Sequence, residues 1–175
     1  MPVLLIIGGS QGSVAVNTAV RKILPTLLKS FRVIHLCGKG NLDETLADTT
    51  GYVQFEYIQN ELPDLFAASD VVISRAGANA ICELLALRKP AILIPLPLSA
   101  SRGDQILNAK SFAAQGFSMM LEDENVNDAS LLSAIREVYD NRAGYIHAME
   151  TSDLGDPVGT IIGLIEDAVN ERQST

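Results

Sequence analysis

Tryptophan is absent from this sequence, and aromatic residues make up only 5% of its 175 positions. The hydrophobic core must therefore be built from Ile, Leu, Val and Ala. The two cysteines, Cys37 and Cys82, are too few for a disulfide framework or a four-ligand zinc site. We expect both to be buried thiols in a reducing compartment, with Cys82 on the buried side of a helix. Charged residues reach 19% and apolar residues 47%, which excludes disorder for most of the chain.

Positive charge is also scarce. The chain has 13 Lys and Arg against 21 Asp and Glu, which gives a formal net charge of −8. Proteins that bind the phosphate backbone of nucleic acids are basic, so we expect no nucleic-acid partner. The same acidity disfavours attachment of this chain itself to anionic lipid. No apolar run reaches the roughly 18 residues of a membrane span, and no basic segment precedes the first run as in a secretory signal.

Short apolar runs alternate with amphipathic segments, over a length typical of a single domain. The runs that predict strands are residues 3–7, 32–36, 53–56, 71–74, 91–94 and 118–121. The segments with helical spacing are residues 14–28, 41–48, 61–68, 78–87, 104–115, 129–139 and 158–171. Residues 141–157, with Gly144, Gly155 and Pro157, are expected to be irregular. Apolar strands that alternate with helices predict an α/β fold, a Rossmann-like doubly wound parallel sheet covered on both faces.

The loop after the first predicted strand is the first candidate for a binding site, because doubly wound sheets bind ligands at the carboxyl ends of their strands. Residues 8–13 read GGSQGS. The glycines allow the backbone close to a ligand, and the helix start that follows favours an anion. The loop has neither the Walker nor the G-x-G-x-x-G pattern, and no acidic residue ends the second strand, which disfavours a dinucleotide enzyme. Phosphate contact and a plain tight turn fit this loop equally.

The loop after the fourth predicted strand is the second candidate. Residues 74–83 read SRAGANAICE, with Gly77 and small residues at a helix start and Glu83 about one turn inside the helix. A helix start that binds phosphate, with a carboxylate one turn deeper for the ribose hydroxyls, suits a nucleotide. A solvated Glu83 paired with Arg88 is the plainer alternative, and the high frequency of exposed glutamates favours it.

The loop after the fifth predicted strand is rich in Pro and Ser and leads into a helix that begins with Asp104 and Gln105. Asp104 is the expected N-cap of that helix. Polar groups at this helix start suit the hydroxyls of a sugar. Simple capping is the alternative, and for Asp104 taken singly it is favoured.

The remaining polar residues favour structural roles. We expect His35, at a strand end, to lie in the core or at its edge, and we find no obvious carboxylate partner for His147 in the irregular segment. The acidic turn at residues 122–124 is expected to be solvated. The sequence contains no Ser/His/Asp order, no H-E-x-x-H and no Asp-x-Asp, so we expect neither a catalytic triad nor a metal site.

Together, the loops resemble the C-terminal, donor-binding domain of the MurG-like UDP-N-acetylglucosamine transferases of glycosyltransferase family 28. The residues that carry the resemblance are Gly8-Gly9-Ser10-Gln11-Gly12, Ser74-Arg75-Ala76-Gly77-Ala78 with Glu83, Lys89-Pro90 before Ile94-Pro95-Leu96-Pro97, and Asp104-Gln105 with Asn108-Ala109. Their order and spacing cover residues 3 to about 121. The resemblance implies the C-terminal half of a two-domain GT-B glycosyltransferase.

The resemblance also implies which residues bind the donor, UDP-N-acetylglucosamine. Ser10 and its glycines would face the diphosphate, with the amides at the start of the helix that follows the fourth strand. The backbone of Ile58 would hold the uracil, Glu83 the ribose hydroxyls, and Gln105 with Asp104 the sugar. The full set is Gly9, Ser10, Gln11, Gly12, Ile58, Arg75, Gly77, Ala78, Asn79, Ala80, Glu83, Asp104 and Gln105. The chain departs from the family at two of these positions, since Ala80 replaces the usual Thr and Asp104 a frequent His.

The function implied is inverting transfer of N-acetylglucosamine to undecaprenyl-pyrophosphoryl-N-acetylmuramyl-pentapeptide (lipid I) in peptidoglycan synthesis, in the cytoplasm at the inner face of the cell membrane. Residues 1–175 would form a single donor-binding domain, and the N-terminal domain that binds the acceptor would be missing. We therefore expect no catalytic residue, metal or cofactor in this chain and no transfer by it in isolation. Two alternatives remain open: a nucleotide-sugar-binding subunit of a two-protein GT-B transferase, and half of a UDP-sugar epimerase.

Overall fold

The computed structural model describes residues 1–8, 13–58 and 60–152. The strands are β1 (Val3–Ile7), β2 (Arg32–Leu36), β3 (Tyr52–Phe55), β4 (Val71–Ser74), β5 (Ala91–Leu93) and β6 (Ser118–Met120). The α-helices are α1 (Val14–Leu27), α2 (Leu62–Ala68), α3 (Ala78–Ala86), α4 (Asp104–Ala114), α5 (Asp128–Asp140) and α6 (Arg142–Glu150). The helix predicted for residues 158–171 lies outside the described residues.

The six strands form one sheet in which all neighbours are parallel, in the order β3-β2-β1-β4-β5-β6. This is the strand order of Rossmann-like folds, whose winding reverses between β1 and β4. The predicted doubly wound α/β fold is confirmed. At the reversal, Ile7 at the end of β1 lies opposite Ser74 at the end of β4.

The strands are apolar because helices cover both faces of the sheet. Leu4 and Ile6 face the helices α1 and α5, whereas Leu5 faces α2, α3 and α4. These three side chains are fully buried, and so is Ile135 of α5. Burial of such a side chain stabilises the fold by roughly 1.5–3 kcal/mol, so the sheet and its flanking helices hold the carboxyl ends of the strands in place.

A polar network lies inside the face covered by α1. His35 of β2 is fully buried, with Nδ1 3.0 Å from the Tyr52 hydroxyl and Nε2 2.9 Å from Asn17 Oδ1. Asn17 donates its amide to the Cys37 carbonyl at 2.9 Å, so its oxygen faces the ring and Nε2 of His35 carries the proton. Burial, together with the nearby Arg21 guanidinium, lowers the pKa of His35 to about 3. The prediction of a core histidine is confirmed, and its ring is neutral.

The two cysteines occupy different environments. Cys37 is buried as predicted, and burial raises the pKa of its thiol. Cys82 is exposed, so the prediction that it packs against the core is wrong. The buried residues of α3 are Ile81, Leu84 and Leu85, which places position 82 about 100° round the helix from position 81, on the solvent side.

The segment between β2 and β3 is not the helix that the sequence predicts for residues 41–48. A single 3-10 turn forms there, Glu44–Leu46. The Asp43 N–H donates to Gln54 Oε1 at 3.1 Å, and Gln54 Nε2 donates to the Asp43 carbonyl at 2.5 Å. The side chain of Gln54 thus ties both backbone groups of Asp43 to β3, and the turn itself is closed by the Leu46 N–H, which donates to the Asp43 carbonyl at 3.0 Å.

Helix α6 lies in the stretch that the sequence predicts to be irregular. It spans Arg142–Glu150, with Gly144 inside it and His147 on its exposed side. Met149 is buried in a small cluster with Leu85 and Phe117. This apolar contact offsets the roughly 1 kcal/mol that an interior glycine costs a helix, which is why Gly144 does not end it. Residues 153–157 of the stretch lie outside the described residues.

Candidate functional site

A cleft of about 420 Å³ opens at the carboxyl ends of β1 and β4, where the winding of the sheet reverses. Its lining residues come from the ends of both strands and from the first turns of α3 and α4: Ile7, Ser74, Arg75, Gly77, Ala78, Asn79, Ala80 and Gln105. All of these except Ile7 and Ser74 belong to the binding set expected from the sequence. The structure therefore brings together residues from two of the three candidate loops at the place where doubly wound folds bind ligands.

The start of α3 presents backbone donors to this cleft. Gly77 is the N-cap, in an extended conformation with φ −66° and ψ 147°, and it has no side chain that could cap the helix. Within the described part of the chain, no group accepts a hydrogen bond from the N–H groups of Ala78, Asn79 or Ala80. Together with the helix dipole, these free donors favour an anion at this point.

Gln105, in the first turn of α4, faces the same cleft with a fixed amide orientation. The Leu96 N–H donates to Gln105 Oε1 at 3.2 Å, so the oxygen is turned toward the loop that follows β5. The Nε2 atom lies beside Gly77, 4.0 Å from where a Cβ on that glycine would stand. Gln105 therefore presents its amide N–H groups, rather than its oxygen, to a ligand in the cleft.

The start of α4 is set by Gly103 rather than by Asp104. Gly103 is the N-cap and has a left-handed backbone with φ 89°, and a Cβ there would lie 3.0 Å from Leu98 Cδ2. The prediction that Asp104 caps the helix is wrong, because the chain reaches α4 through a conformation that glycine adopts easily. Asp104 is instead an exposed carboxylate in the first turn, where it interacts favourably with the helix dipole. Asn108, one turn on, donates to the Ala76 carbonyl at 3.0 Å and joins α4 to the loop before α3.

Arg75, directly after β4, lines the cleft, but its guanidinium hydrogen-bonds to residues of other loops. Nη1 donates to the carbonyls of Ile94 and Pro95 at 3.0 and 3.2 Å and lies 2.5 Å from Asp123 Oδ1. Nη2 donates to the Ser13 hydroxyl at 2.5 Å. One side chain thus links the carboxyl ends of four adjacent strands, β1, β4, β5 and β6.

Glu83 and Ile58 lie away from the lining of the cleft. Glu83 is exposed on α3, one turn beyond Asn79. The alternative pairing with Arg88 does not form, since Arg88 Nη1 lies 3.7 Å from Glu150 Oε1 instead. Ile58 follows β3 and packs against the core on the α2 side of the sheet. The predicted binding residues Gly9, Ser10, Gln11 and Gly12 lie outside the described residues, which resume at Ser13.

Sequence reasoning missed two residues near the cleft, Ser13 and Asp123. Glu122 and Glu124 are exposed as predicted for the acidic turn, but the Asp123 side chain is only 20% exposed because it pairs with Arg75. The sequence held a signal for this pair: an arginine directly after a buried strand needs a counter-charge, and the acidic turn follows a strand of the same parallel sheet.

Two further properties concern the described residues as a whole. Among residues 1–8, 13–58 and 60–152, no group of three or more His, Cys, Asp or Glu side chains is arranged to hold a metal ion. No helix in that part of the chain is long and apolar enough to cross a membrane.

Comparison with curated proteins finds close relatives over nearly the whole chain. It is 62% identical over 167 residues to the UDP-N-acetylglucosamine--N-acetylmuramyl-(pentapeptide) pyrophosphoryl-undecaprenol N-acetylglucosamine transferase of Lachnoclostridium phytofermentans, which covers 95% of this chain and 47% of that protein. A protein of the same name from Lachnospira eligens is 59% identical over 166 residues, with 95% and 47% covered. The chain therefore spans about half the length of the curated relatives that it matches.

Solved structures share its fold at lower identity. MurG from Acinetobacter baumannii superposes with a TM-score of 0.77 and 21% identity, over 95% of this chain and 50% of that one. The Streptomyces sp. SF2575 glycosyltransferase SsfS6, complexed with thymidine diphosphate, gives a TM-score of 0.64 and 20% identity, over 95% and 41%. The Rossmann-like sheet seen here is therefore a fold shared with one part of these glycosyltransferases.

The family model described as the glycosyltransferase family 28 C-terminal domain matches residues 3–157. That range contains every strand and helix of the described structure, including the cleft at the ends of β1 and β4. The chain belongs to the family of glycosyltransferase family 28 C-terminal domains.

Proposed function

We propose that this chain is the donor-binding part of an enzyme that transfers N-acetylglucosamine from UDP-N-acetylglucosamine to lipid I. The observation that carries this proposal is the 62% identity, over 95% of the chain, to a protein named for that transfer. The cleft supports it independently, because its free helix-start amides suit a diphosphate and its glutamine suits a sugar. The names of the relatives favour transfer over the epimerase alternative.

The donor is proposed to lie across the cleft with its diphosphate at the start of α3. The amides of Ala78, Asn79 and Ala80 face it there, and the family resemblance assigns further diphosphate contacts to Gly9–Gly12. Glu83, one turn along α3, accepts hydrogen bonds from the ribose hydroxyls, and the backbone at Ile58 holds the uracil. Gln105, with Asp104, contacts the N-acetylglucosamine ring.

This arrangement assigns the stabilisation of the leaving group to this chain. When the acceptor hydroxyl attacks the anomeric carbon with inversion, the bond to the UDP oxygen breaks and negative charge builds on the diphosphate. Fixed backbone donors at a helix start stabilise such charge without reorganising. Because Ala80 replaces the usual Thr, only its backbone N–H is available there. We propose no catalytic residue in this chain, and we assign the base that takes the acceptor proton to the part of the enzyme outside it.

The acceptor is proposed to bind that other part, since this chain spans about half the length of its relatives. Residues 1–175 then form one donor-binding domain, and the reaction takes place between the two parts. Because lipid I carries an undecaprenyl chain and nucleotide sugars are cytoplasmic, we place the complete enzyme at the inner face of the cell membrane.

Glu83→Gln tests the position of the ribose. We expect the affinity for UDP to fall by about 1.5–3 kcal/mol, because a carboxylate accepts both ribose hydroxyls and an amide accepts less well. Isothermal titration of UDP into the 175-residue chain and its variant measures this change in binding free energy. The matched control is Glu137→Gln, an exposed glutamate on α5, which should leave the affinity unchanged. Equal affinities of the wild-type and Glu83→Gln proteins would show that Glu83 is a surface carboxylate only.

Gln105→Met tests whether Gln105 recognises the sugar of the donor. Methionine has a similar length but no N–H groups, so we expect the affinity for UDP-N-acetylglucosamine to fall about tenfold while that for UDP changes by less than about twofold. The ratio of the affinity for UDP-N-acetylglucosamine to that for UDP-N-acetylgalactosamine, which differs only at C4, should decrease as well. Titration with the three ligands separates the effects. An equal loss for UDP and UDP-N-acetylglucosamine would assign Gln105 to the structure of the helix start instead.

A further inference from the structure

We infer that Asp123, in the turn after β6, is a positioning residue for the donor cleft and acts through Arg75. The inference rests on the proposed function for the identity of the ligand. Asp123 does not itself line the cleft. Its Oδ1 lies 2.5 Å from Arg75 Nη1, and the two side chains are only 20% and 11% exposed. A carboxylate and a guanidinium so far removed from solvent interact more strongly than an ion pair at the surface.

The pair determines where the Arg75 guanidinium stands. The other acceptors in the described structure, the carbonyls of Ile94 and Pro95 and the hydroxyl of Ser13, are uncharged. An arginine side chain is long and has many rotamers, so a charged partner on one side restricts it far more than neutral acceptors do. Asp123 therefore orients the Arg75 guanidinium, and the hydrogen bonds of the guanidinium then hold the loops after β1 and β5 in place.

Two of those loops lead directly to the cleft. Ser13 follows the glycine-rich segment and caps α1, since its hydroxyl accepts from the Val16 N–H at 3.3 Å. The Pro95 carbonyl belongs to the peptide unit whose N–H, on Leu96, holds the Gln105 oxygen at 3.2 Å. A shift of the guanidinium is thereby transmitted to Gln105, which lines the cleft, and to the start of α1, which follows the glycine-rich segment in the sequence.

The direction of the change in UDP affinity on substitution of Asp123 distinguishes a positioning role from a simple electrostatic one. Asp123→Asn removes a negative charge near a site that binds an anion, so by Coulomb attraction alone the affinity for UDP would rise. If Asp123 acts by orienting Arg75, the affinity falls despite the lost charge. Glu124→Gln is the matched control, because Glu124 belongs to the same turn but is exposed.

The experiment is titration of UDP into the 175-residue chain and its variants, with thermal unfolding to establish that each is folded. We expect Asp123→Asn to weaken UDP binding about tenfold, and Glu124→Gln to leave it equal or slightly stronger. Asp123→Glu restores the carboxylate and should recover most of the loss, which a defect in packing would not predict. In amide NMR spectra, Asp123→Asn should shift the signals of Ala78 and Leu96, whereas Glu124→Gln should not.

The outcomes distinguish this inference from the proposed function. If the wild-type chain binds UDP and Asp123→Asn binds it equally or more tightly, the positioning role is wrong and the proposed function stands. If Asp123→Asn loses affinity but Asp123→Glu recovers none of it, the role of the carboxylate is also overturned. If the wild-type chain does not bind UDP, the proposed function fails and the inference fails with it.

Discussion

Between pH 7 and pH 5, the free energy of unfolding of this chain is expected to fall by about 2 kcal/mol through His35. The pKa of His35 is lowered from 6.5 to about 3 in the folded chain, because the ring is buried and Arg21 lies nearby. Well above pH 6.5 the ring is neutral in both states and the network with Asn17 and Tyr52 contributes its full stability. As the pH falls from 6.5 toward 3, only the unfolded chain takes up the proton, so stability is lost across that window.

His35→Gln isolates this contribution, because glutamine hydrogen-bonds within the network without titrating. Urea unfolding at pH 7 and pH 5 gives the loss of stability for each protein. The loss for the wild type should exceed that for His35→Gln by about 2 kcal/mol, since the carboxylates that also respond to acid are common to both and cancel. His147→Gln, at the exposed histidine of α6, should retain the pH dependence of the wild type. An equal loss in the wild type and His35→Gln would contradict the neutral buried ring.

The parallel sheet could be predicted because its signal is local. The apolar runs at residues 3–7, 32–36 and 71–74 coincide with β1, β2 and β4, since strands covered on both faces must be apolar throughout. Where prediction failed, a contact distant in sequence decided the outcome. Gln54 of β3 binds both backbone groups of Asp43, in a segment that forms one 3-10 turn where the sequence predicts a longer helix. Met149 packs into a buried cluster with Leu85 and Phe117, and this contact stabilises helix α6 although Gly144 lies within it.

The location of the candidate site could also be predicted, whereas the contacts of its side chains could not. Loops at the carboxyl ends of strands converge in any doubly wound sheet, so the convergence of Gly77 and Gln105 follows from topology. What each polar group contacts does not follow from topology. The sequence does not indicate that the Gln105 oxygen is held by Leu96, or which of the acidic residues after β6 pairs with Arg75. These contacts depend on three-dimensional distances between loops that no local pattern encodes.

Arg75→Met is expected to lower the free energy of unfolding by about 3 kcal/mol, the largest loss among the substitutions considered. The variant leaves the largely buried carboxylate of Asp123 without its cation and removes the donor from the Ile94 and Pro95 carbonyls. Breaking one side of a buried pair is costly because the remaining charge stays desolvated. Chemical denaturation at neutral pH measures the loss.

Burial, rather than the mere presence of an ion pair, is the reason for this expectation, and two further variants test it. Arg88→Met makes the same substitution at an arginine that pairs with Glu150 at 3.7 Å, with side chains 58% and 47% exposed. Exposed pairs contribute about 0–1 kcal/mol, so this control should lose little. In the double variant Arg75→Met/Asp123→Asn no charge is left unpaired, and we expect it to regain about 1 kcal/mol over Arg75→Met. A double variant no more stable than Arg75→Met would show that the lost carbonyl bonds, and not the unpaired carboxylate, account for the effect.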